Sequence, residues 1–560
     1  MKKGLILIAL LLVPFITNII SCGSSSVTSG KTAVTINLGP VTAGSAANSM
    51  KAPSAIPSGI VSVRFTISAP DMTTIQRTVS VEGRTSISET FDVPNGNDRY
   101  FLIEAMDSSG SILYKGDKYA DLDGTPVTLT IGMNFVSFAR TYGGMSSDYA
   151  TSIQQTTDGG YIVAGYTDSF GAGGDDFWIL KLDSNGSPQW QKAYGGAGSD
   201  YANSIQQTSD GGYIVAGYTY PTGAPADFWV LKLDSNGSPQ WQKTYGGSNY
   251  DYAYSIQQTA DGGHIVAGST MKTFGDDAWI LKLDSGGGII WQKTYGKDIV
   301  TGDNDYAYSI QQTTDGGYIV AGETWSFGTG GDFWVLKLNS DGTVAWQKAY
   351  GGTGSDSANS IRQTSDGGYI VAGETWSFGT GGDFWVLKLN SDGTVAWQKT
   401  YGGTGSDTAN SIHQTSDGGY IIGGGTNSFG VGLGNFWILR LNSDGVIAWQ
   451  KTYGGTGGIE IGDTASSIQQ ITDGGYIVAG NTPSFGAGSS DFWVLKLASD
   501  GSINLNPTSG ASTTDTTATV TDTTVTGADT TAIATDTTVT GADTTATVTG
   551  TNATITQQAP

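Results

Sequence analysis

The chain has 560 residues, of which 84 are glycine, about twice the ordinary share, while charged residues make up 14% against a usual quarter or so. Such a mixture suits turn-rich β structure. Asp and Glu number 50 against 27 Lys and Arg, and the net charge of -23 opposes phosphate backbones, which need clustered basic side chains, so nucleic acid is not an expected partner.

Residues 1–21 carry two lysines, an apolar run from Leu5 to Ile20 broken by Pro14 and Asn18, and Ser21 just before Cys22. This is the pattern of a secretion signal without a stop-transfer sequence. Ile19-Ile20-Ser21-Cys22 resembles the lipobox of bacterial lipoproteins, in which the thiol is acylated and the chain is cut just before it. The resemblance implies a signal peptide over 1–21, a lipid anchor at Cys22, a tether over 22–30 and a place at the cell envelope. The outer membrane is the expected side, because Gly23 is not the aspartate that retains lipoproteins at the inner membrane. Cys22 is the only cysteine, so no disulfide can form within one chain.

Residues 31–133 form a separate region. Runs such as IVSVRFTISA, TIQRTVSVEG and RYFLIEAMD alternate apolar and polar positions, and PNG, SSG and LDG supply turns. The pattern predicts a small β-sandwich of the immunoglobulin-like or prealbumin-like kind.

From residue 134 to 504 one motif set recurs. The tyrosine of YGG falls at Tyr142, Tyr194, Tyr245, Tyr295, Tyr350, Tyr401 and Tyr453, with spacings of 52, 51, 50, 55, 51 and 52. A nearly constant period of this size points to a propeller or solenoid and not to separate globular domains. Each unit reads as four short strands. In the second these are YANSIQQT from Tyr201, GYIVAGYT from Gly212, DFWVLKLD from Asp227 and SPQWQKTY from Ser238, divided by SDG and SNG turns. Four antiparallel strands per unit make a propeller blade. Trp178, Trp229, Trp279, Trp334, Trp385, Trp437 and Trp493 count seven blades, yet the fourth-strand tryptophan occurs only six times after Phe138. FARTYGG from Phe138 matches WQKTYGG, so residues 134–142 are predicted to complete blade seven and close the ring. The motifs DGGYIVAG, DFWVLKL and WQKTYGG resemble the bacterial and archaeal β-propeller repeat family of secreted and surface proteins. That resemblance implies an all-β, seven-bladed β-propeller and no particular reaction.

The tail, residues 505–560, has no Lys, Arg or aromatic residue after Asn506 and cannot bury a core. Asp515, Asp522, Asp529, Asp536 and Asp543 are seven apart, but the apolar positions of a helical heptad are missing. An extended, disordered, self-repelling segment is expected, with a Thr-rich β-stack as the alternative.

The repeat supplies an internal test: residues present in every unit serve the blade, and a site particular to this protein must break the symmetry. The invariant Asp148, Asp200, Asp251, Asp305, Asp356, Asp407 and Asp463 are expected to accept hydrogen bonds in the glycine-rich turns, although a ring of carboxylates could attract a cation. The invariant glutamines, from Gln155 to Gln470, should tie strands or blades together. No D-x-[DN]-x-[DN]-G calcium loop and no phosphate loop occurs, and His264 and His413 sit at different places in their units, so no catalytic residue, metal site or cofactor is expected.

Symmetry breaks mainly in two sets of loops. The loop after the second strand carries Tyr220, Trp325 and Trp376 at a position that varies from unit to unit, and the loop between the fourth and first strands is lengthened around Asp298 and Glu460. Both sets emerge on one face. Exposed aromatics on a rigid scaffold are common anchors of binding, so these five residues are the candidate partner-binding positions. The expected function is a lipid-anchored, non-enzymatic binding or scaffold module for an envelope protein or polysaccharide. The alternatives are a polysaccharide-active lyase or hydrolase, and an envelope assembly factor.

Overall fold

The computed structural model describes residues 30–503 except 43–59, 297–302, 456–461 and positions 83, 85, 109, 111, 172, 274, 329, 431 and 487, together with five short strands beyond residue 511. The described residues are all-β, and no helix among them is long and apolar enough to cross a membrane. The signal segment, Cys22, Asp298 and Glu460 lie outside the described residues.

The first seven strands are β1 (Lys31–Thr42), β2 (Ser62–Ser68), β3 (Ile75–Ser80), β4 (Ser88–Pro94), β5 (Gly96–Met106), β6 (Ile112–Leu122) and β7 (Val127–Phe135). They form one continuous sheet in the order β3-β2-β5-β6-β7-β1-β4, in which β1 and β7 run parallel and only two residue pairs join β6 to β7. The sheet's two wings face each other. Val63, Phe65 and Ile67 of β2, alternating with half-exposed neighbours, share one core with Val34 and Ile36 of β1 and with Phe91 and Val93 of β4. The Phe65 and Phe91 rings lie 5.4 Å apart.

β8 (Phe138–Tyr142) follows, then six four-stranded antiparallel units and a seventh of three strands to which β8 adds the fourth. Unit one is β9 (Asp148–Gln155), β10 (Tyr161–Thr167), β11 (Asp176–Leu182) and β12 (Pro188–Tyr194). The DGG turn shows why the chain folds back here. The Asp158 carboxylate accepts from Thr156 Oγ1 at 2.5 Å and from the Gly160 N–H at 3.0 Å, while Gly159 takes φ 79°, which favours glycine. Lys181 of β11 reaches the same carboxylate at 2.8 Å, a pair repeated in the other units with Arg440 replacing lysine once.

The apolar cores lie between units. Ile162, Phe177 and Ile179 of unit one pack with Ala202, Tyr213, Val215 and Trp229 of unit two, so the third strand is buried on both faces and its sequence is almost continuously apolar. Polar bonds follow the same rule. The Gln154 side chain accepts from the Gln207 N–H at 2.6 Å, and Gln207 accepts from the Thr157 N–H at 2.8 Å. Equivalent bonds join unit seven to unit one: Gln155 accepts from the Thr472 N–H at 2.9 Å, and its own N–H donates to Gln469. The third strand of unit seven pairs with β8 from Phe492↔Tyr142 to Lys496↔Phe138, the register in which Lys181 meets Trp190 in unit one. Phe138 therefore occupies the tryptophan's place.

The first region packs on unit seven at the end of the strands that carries the DGG turns. Phe135 lies 5.0 Å from Lys496 Nζ, and the Lys496–Asp473 pair is sealed at 2% exposure for both partners, whereas Asp158 of the equivalent pair in unit one is 53% exposed.

The tail departs from expectation. In place of a wholly unpaired segment, Ser512–Asp515, Thr519–Asp522, Ala528–Asp529, Ile533–Thr535 and Thr556–Gln557 are strands added to the fourth strands of units six, five, four, three and one. Edge addition uses backbone N–H and C=O groups, so lack of an apolar core does not prevent it.

Candidate functional site

The end of the strands opposite the first region carries the loops after the second strand and those between units. Its frame is set by the invariant aspartates. Asp148, fully buried, accepts from the Gly144 N–H at 2.8 Å, from Ser169 Oγ at 2.9 Å and from the Thr167 hydroxyl. The aspartates thus act on their turns, as expected from the sequence. A second aspartate crowds the same turn from the third strand of unit seven: a Cβ on Gly143 would fall 1.6 Å from Asp491 Oδ1 and 2.7 Å from Asp148 Oδ2. The first glycine of YGG is required because no side chain fits between these two carboxylates.

Unit three weakens this arrangement. Lys272 stands where five of the other loops have Ser169, Ser326, Ser377, Ser428 or Ser484 and unit two has Pro221, so Asp251 lacks the serine hydroxyl that Asp148 uses. Burial, with the neighbouring Asp227 charge adding to it, pushes Asp251 up to about 7, and burial pushes Asp227 up to about 6 from an ordinary 3.8. Both folded values lie above the unfolded ones, so this contribution to stability is fully present below about pH 4 and is lost as pH rises through 6 to 7. The expected result is a melting temperature that declines between pH 5 and pH 8, and declines less in Asp227→Asn. Asparagine is accommodated there, since Asn435 holds the equivalent place in unit six and donates to the Phe429 carbonyl. Scanning calorimetry across that range checks it, and parallel pH profiles would count against it.

Over this frame lies an aromatic surface. Tyr149 stacks on Tyr166 at 5.1 Å, Tyr166 meets Tyr201 at 4.8 Å, Tyr201 meets Tyr218 at 5.0 Å and Tyr218 meets Tyr252 at 4.9 Å, crossing from unit one to unit three. Tyr220 joins them through a 2.9 Å hydroxyl contact with Tyr252, and Tyr250 stacks parallel to Tyr252. Tyr254 and Tyr308, 5.2 Å apart, continue into unit four, where Tyr306 stacks on Tyr308. Tyr254 and Tyr308 occupy the β-bulge of their first strands, where units two, five and six have Asn203, Asn359 and Asn410 donating to the next unit's backbone. A bulge re-aims its side chain, and two successive units use it to present a phenol instead of an amide.

Beyond these tyrosines come the two indoles. Trp325 and Trp376 are 49% and 57% exposed. Each rests on a glycine of its own loop, since a Cβ on Gly331 would meet the Trp325 ring at 2.9 Å and one on Gly382 would meet Trp376 at 3.0 Å. Trp325 Nε1 donates to Glu323 at 2.8 Å, and burial pushes the Glu323 carboxyl up. Among the described residues, six of the eleven large exposed hydrophobic side chains, Met145, Tyr250, Met271, Trp325, Trp376 and Leu433, belong to loops or strand ends of this face.

Three of the five sequence-predicted positions are therefore placed: Trp325 and Trp376 are exposed, and Tyr220 is half-buried in the tyrosine cluster. The remaining tyrosines are not among the sequence-predicted positions. The signal was present, because the position after the invariant aspartate is Tyr149, Tyr201, Tyr252 and Tyr306 in units one to four and Ser357, Thr408 and Thr464 in units five to seven. The two histidines stay apart. His264 is buried against Trp241, while His413 lies on the first strand of unit six next to Arg362 of unit five.

A family model described as a domain of unknown function (DUF5122) beta-propeller matches residues 313–344 and 364–395, which span the second and third strands of units four and five. The chain carries β-propeller repeats. No curated protein matches it. Among solved structures the propeller chain is similar to Sqt1 of Chaetomium thermophilum bound to the N-terminus of the ribosomal protein L10, with 13% identity, 61% of this chain and 84% of that one covered, and a TM-score of 0.35. It is also similar to a rhamnogalacturonan lyase of Bacillus licheniformis, with 11% identity, 84% and 89% covered, and a TM-score of 0.30.

Proposed function

We propose that this protein is a non-enzymatic, lipid-anchored binding module of the cell envelope, held in the outer membrane through Cys22, whose β-propeller captures an extended surface polymer on its aromatic face. The propeller is read as seven blades closed into a ring by residues 134–142, with the preceding sheet folded as a small β-sandwich that spaces it from the anchor. The observation that carries the functional reading is the aromatic track itself: tyrosines linked across units one to four, followed by two indoles laid on glycines in adjacent units. Flat rings with hydroxyls at their margins suit sugar rings, which stack by their C–H faces and hydrogen-bond by their edges. Identical loop sequences around Trp325 and Trp376 suit a ligand that itself repeats, so polysaccharide is favoured over protein.

The test is a titration of the chain lacking residues 1–22 with polysaccharides extracted from envelopes, followed by tryptophan fluorescence. Trp325→Ala combined with Trp376→Ala is expected to weaken binding at least tenfold, and Tyr220→Ala with Tyr252→Ala to weaken it less. Unaltered binding by the tryptophan double variant would overturn the assignment of this face, and capture of a protein in place of a glycan would redirect it.

A further inference from the structure

The tail's seven-residue period has a counterpart on the propeller rim. Ser512–Asp515 pairs antiparallel with the fourth strand of unit six, Thr519–Asp522 with that of unit five and Ala528–Asp529 with that of unit four. Each time the same register returns: Lys451↔Asp515, Lys399↔Asp522 and Lys348↔Asp529. The lysine is that of the WQK motif, the aspartate that of the tail repeat. In unit three, Thr294 pairs with Thr535; in unit one Lys192 pairs with Gln557, which stands six repeats of seven residues after Asp515, one more than the five steps from unit six to unit one.

The path has a topological reason. The chain leaves unit seven after its third strand, whose outer edge β8 already occupies, so the tail's strands meet the fourth-strand edges of other units, the first of them that of unit six. From there it runs backwards through the units. The first two added strands start seven residues apart, and each pairs over four residues. Threonine is a strand former, and opposite charges directly across a ladder are favourable. An exposed outer edge on a four-stranded unit is a template for unwanted pairing with another chain.

We propose that the Thr/Asp-rich segment is an intramolecular edge belt, in which one seven-residue repeat caps the outer strand of each of units six to three and the repeat's aspartate finds its register through the WQK lysine. The belt keeps the propeller monomeric by occupying the edges along which copies would otherwise pair.

Hydrogen exchange on the full mature chain tests this. Truncation after Asn506 is expected to speed exchange at least tenfold in the fourth strands of units three to six, around Tyr295, Ala349, Thr400 and Thr452, while residues 138–142 of unit seven serve as an unaffected internal control. The threefold variant Asp515→Lys, Asp522→Lys and Asp529→Lys should behave like the truncation in units four to six, and raised salt should speed exchange in the parent chain. Lys348→Asp, Lys399→Asp and Lys451→Asp introduced on that background should restore protection. Sedimentation should show the truncated chain self-associating. Equal exchange in the full and truncated chains would overturn the belt. Protection that depends on protein concentration would overturn its intramolecular form and assign the strands to a second copy. Protection of units four to six lost on truncation but kept in the threefold variant would overturn the charge register.

Discussion

Trp385→Ala is expected to destabilise the propeller by about 3 to 5 kcal/mol, the usual cost of removing a fully buried large aromatic side chain. Trp385 is wholly inaccessible, wedged between Phe333 of the preceding unit at 4.5 Å and Phe378 of its own loop at 5.2 Å. Its loss would open a cavity at the seam between units four and five, which are held together by that cluster. The indole nitrogen has no hydrogen-bond partner, so Trp385→Phe should cost much less than Trp385→Ala. Trp325→Ala with Trp376→Ala should shift stability by no more than about 1 kcal/mol, since surface side chains usually contribute about half that or less each. Chemical denaturation of the three variants separates the cases. A double loop variant that unfolds like Trp385→Ala would make the exposed indoles structural caps, and the binding face would then have to be sought elsewhere.

The second large effect concerns the seam between unit seven and unit one. A chain beginning at residue 143 should be less stable than one beginning at residue 134 by more than about 3 kcal/mol, because burial of one large apolar side chain alone is worth about 1.5 to 3 kcal/mol. β8 supplies more than that. Phe138, 8% exposed, packs edge-on against Tyr161 of unit one at 6.1 Å, and the Tyr142 hydroxyl donates to the Gly186 carbonyl, the bond that Tyr194 makes to Gly237 at the next seam. Without β8 the third strand of unit seven, buried along its whole length, becomes an open apolar edge. The shorter chain should therefore also self-associate. Equal melting of the two chains, both monomeric, would mean that β8 contributes nothing to the seam.

Much of this was legible in the residues. A strand needs only a short apolar run and a turn to declare itself, and here the DGG turn and the VLKL run recur often enough that their pairing is readable without coordinates. Invariance within one chain was equally informative: Trp178 and Trp385 recur in every unit and are buried, whereas Trp325 and Trp376 stand at a variable position and are exposed. The substitution of Phe138 for tryptophan was visible because one fourth strand was missing, and the observed register agrees with it.

Other features belong to the tertiary structure alone. Tyr149 and Tyr166 become neighbours through a strand pair, Tyr166 and Tyr201 through the approach of two units, and no local pattern links residues so far apart in sequence. The bulge that turns Tyr254 and Tyr308 onto the same surface is a break in hydrogen-bond register, which a period-two reading of the strand does not contain. The sheet of the first region is continuous through β6 and β7 because of two residue pairs that alternation does not single out. The tail shows the limit most clearly. Its composition determined that it builds no core, but strand addition at an edge draws on backbone groups that every residue but proline carries, so only the tertiary structure could decide which edge the tail meets and in what register.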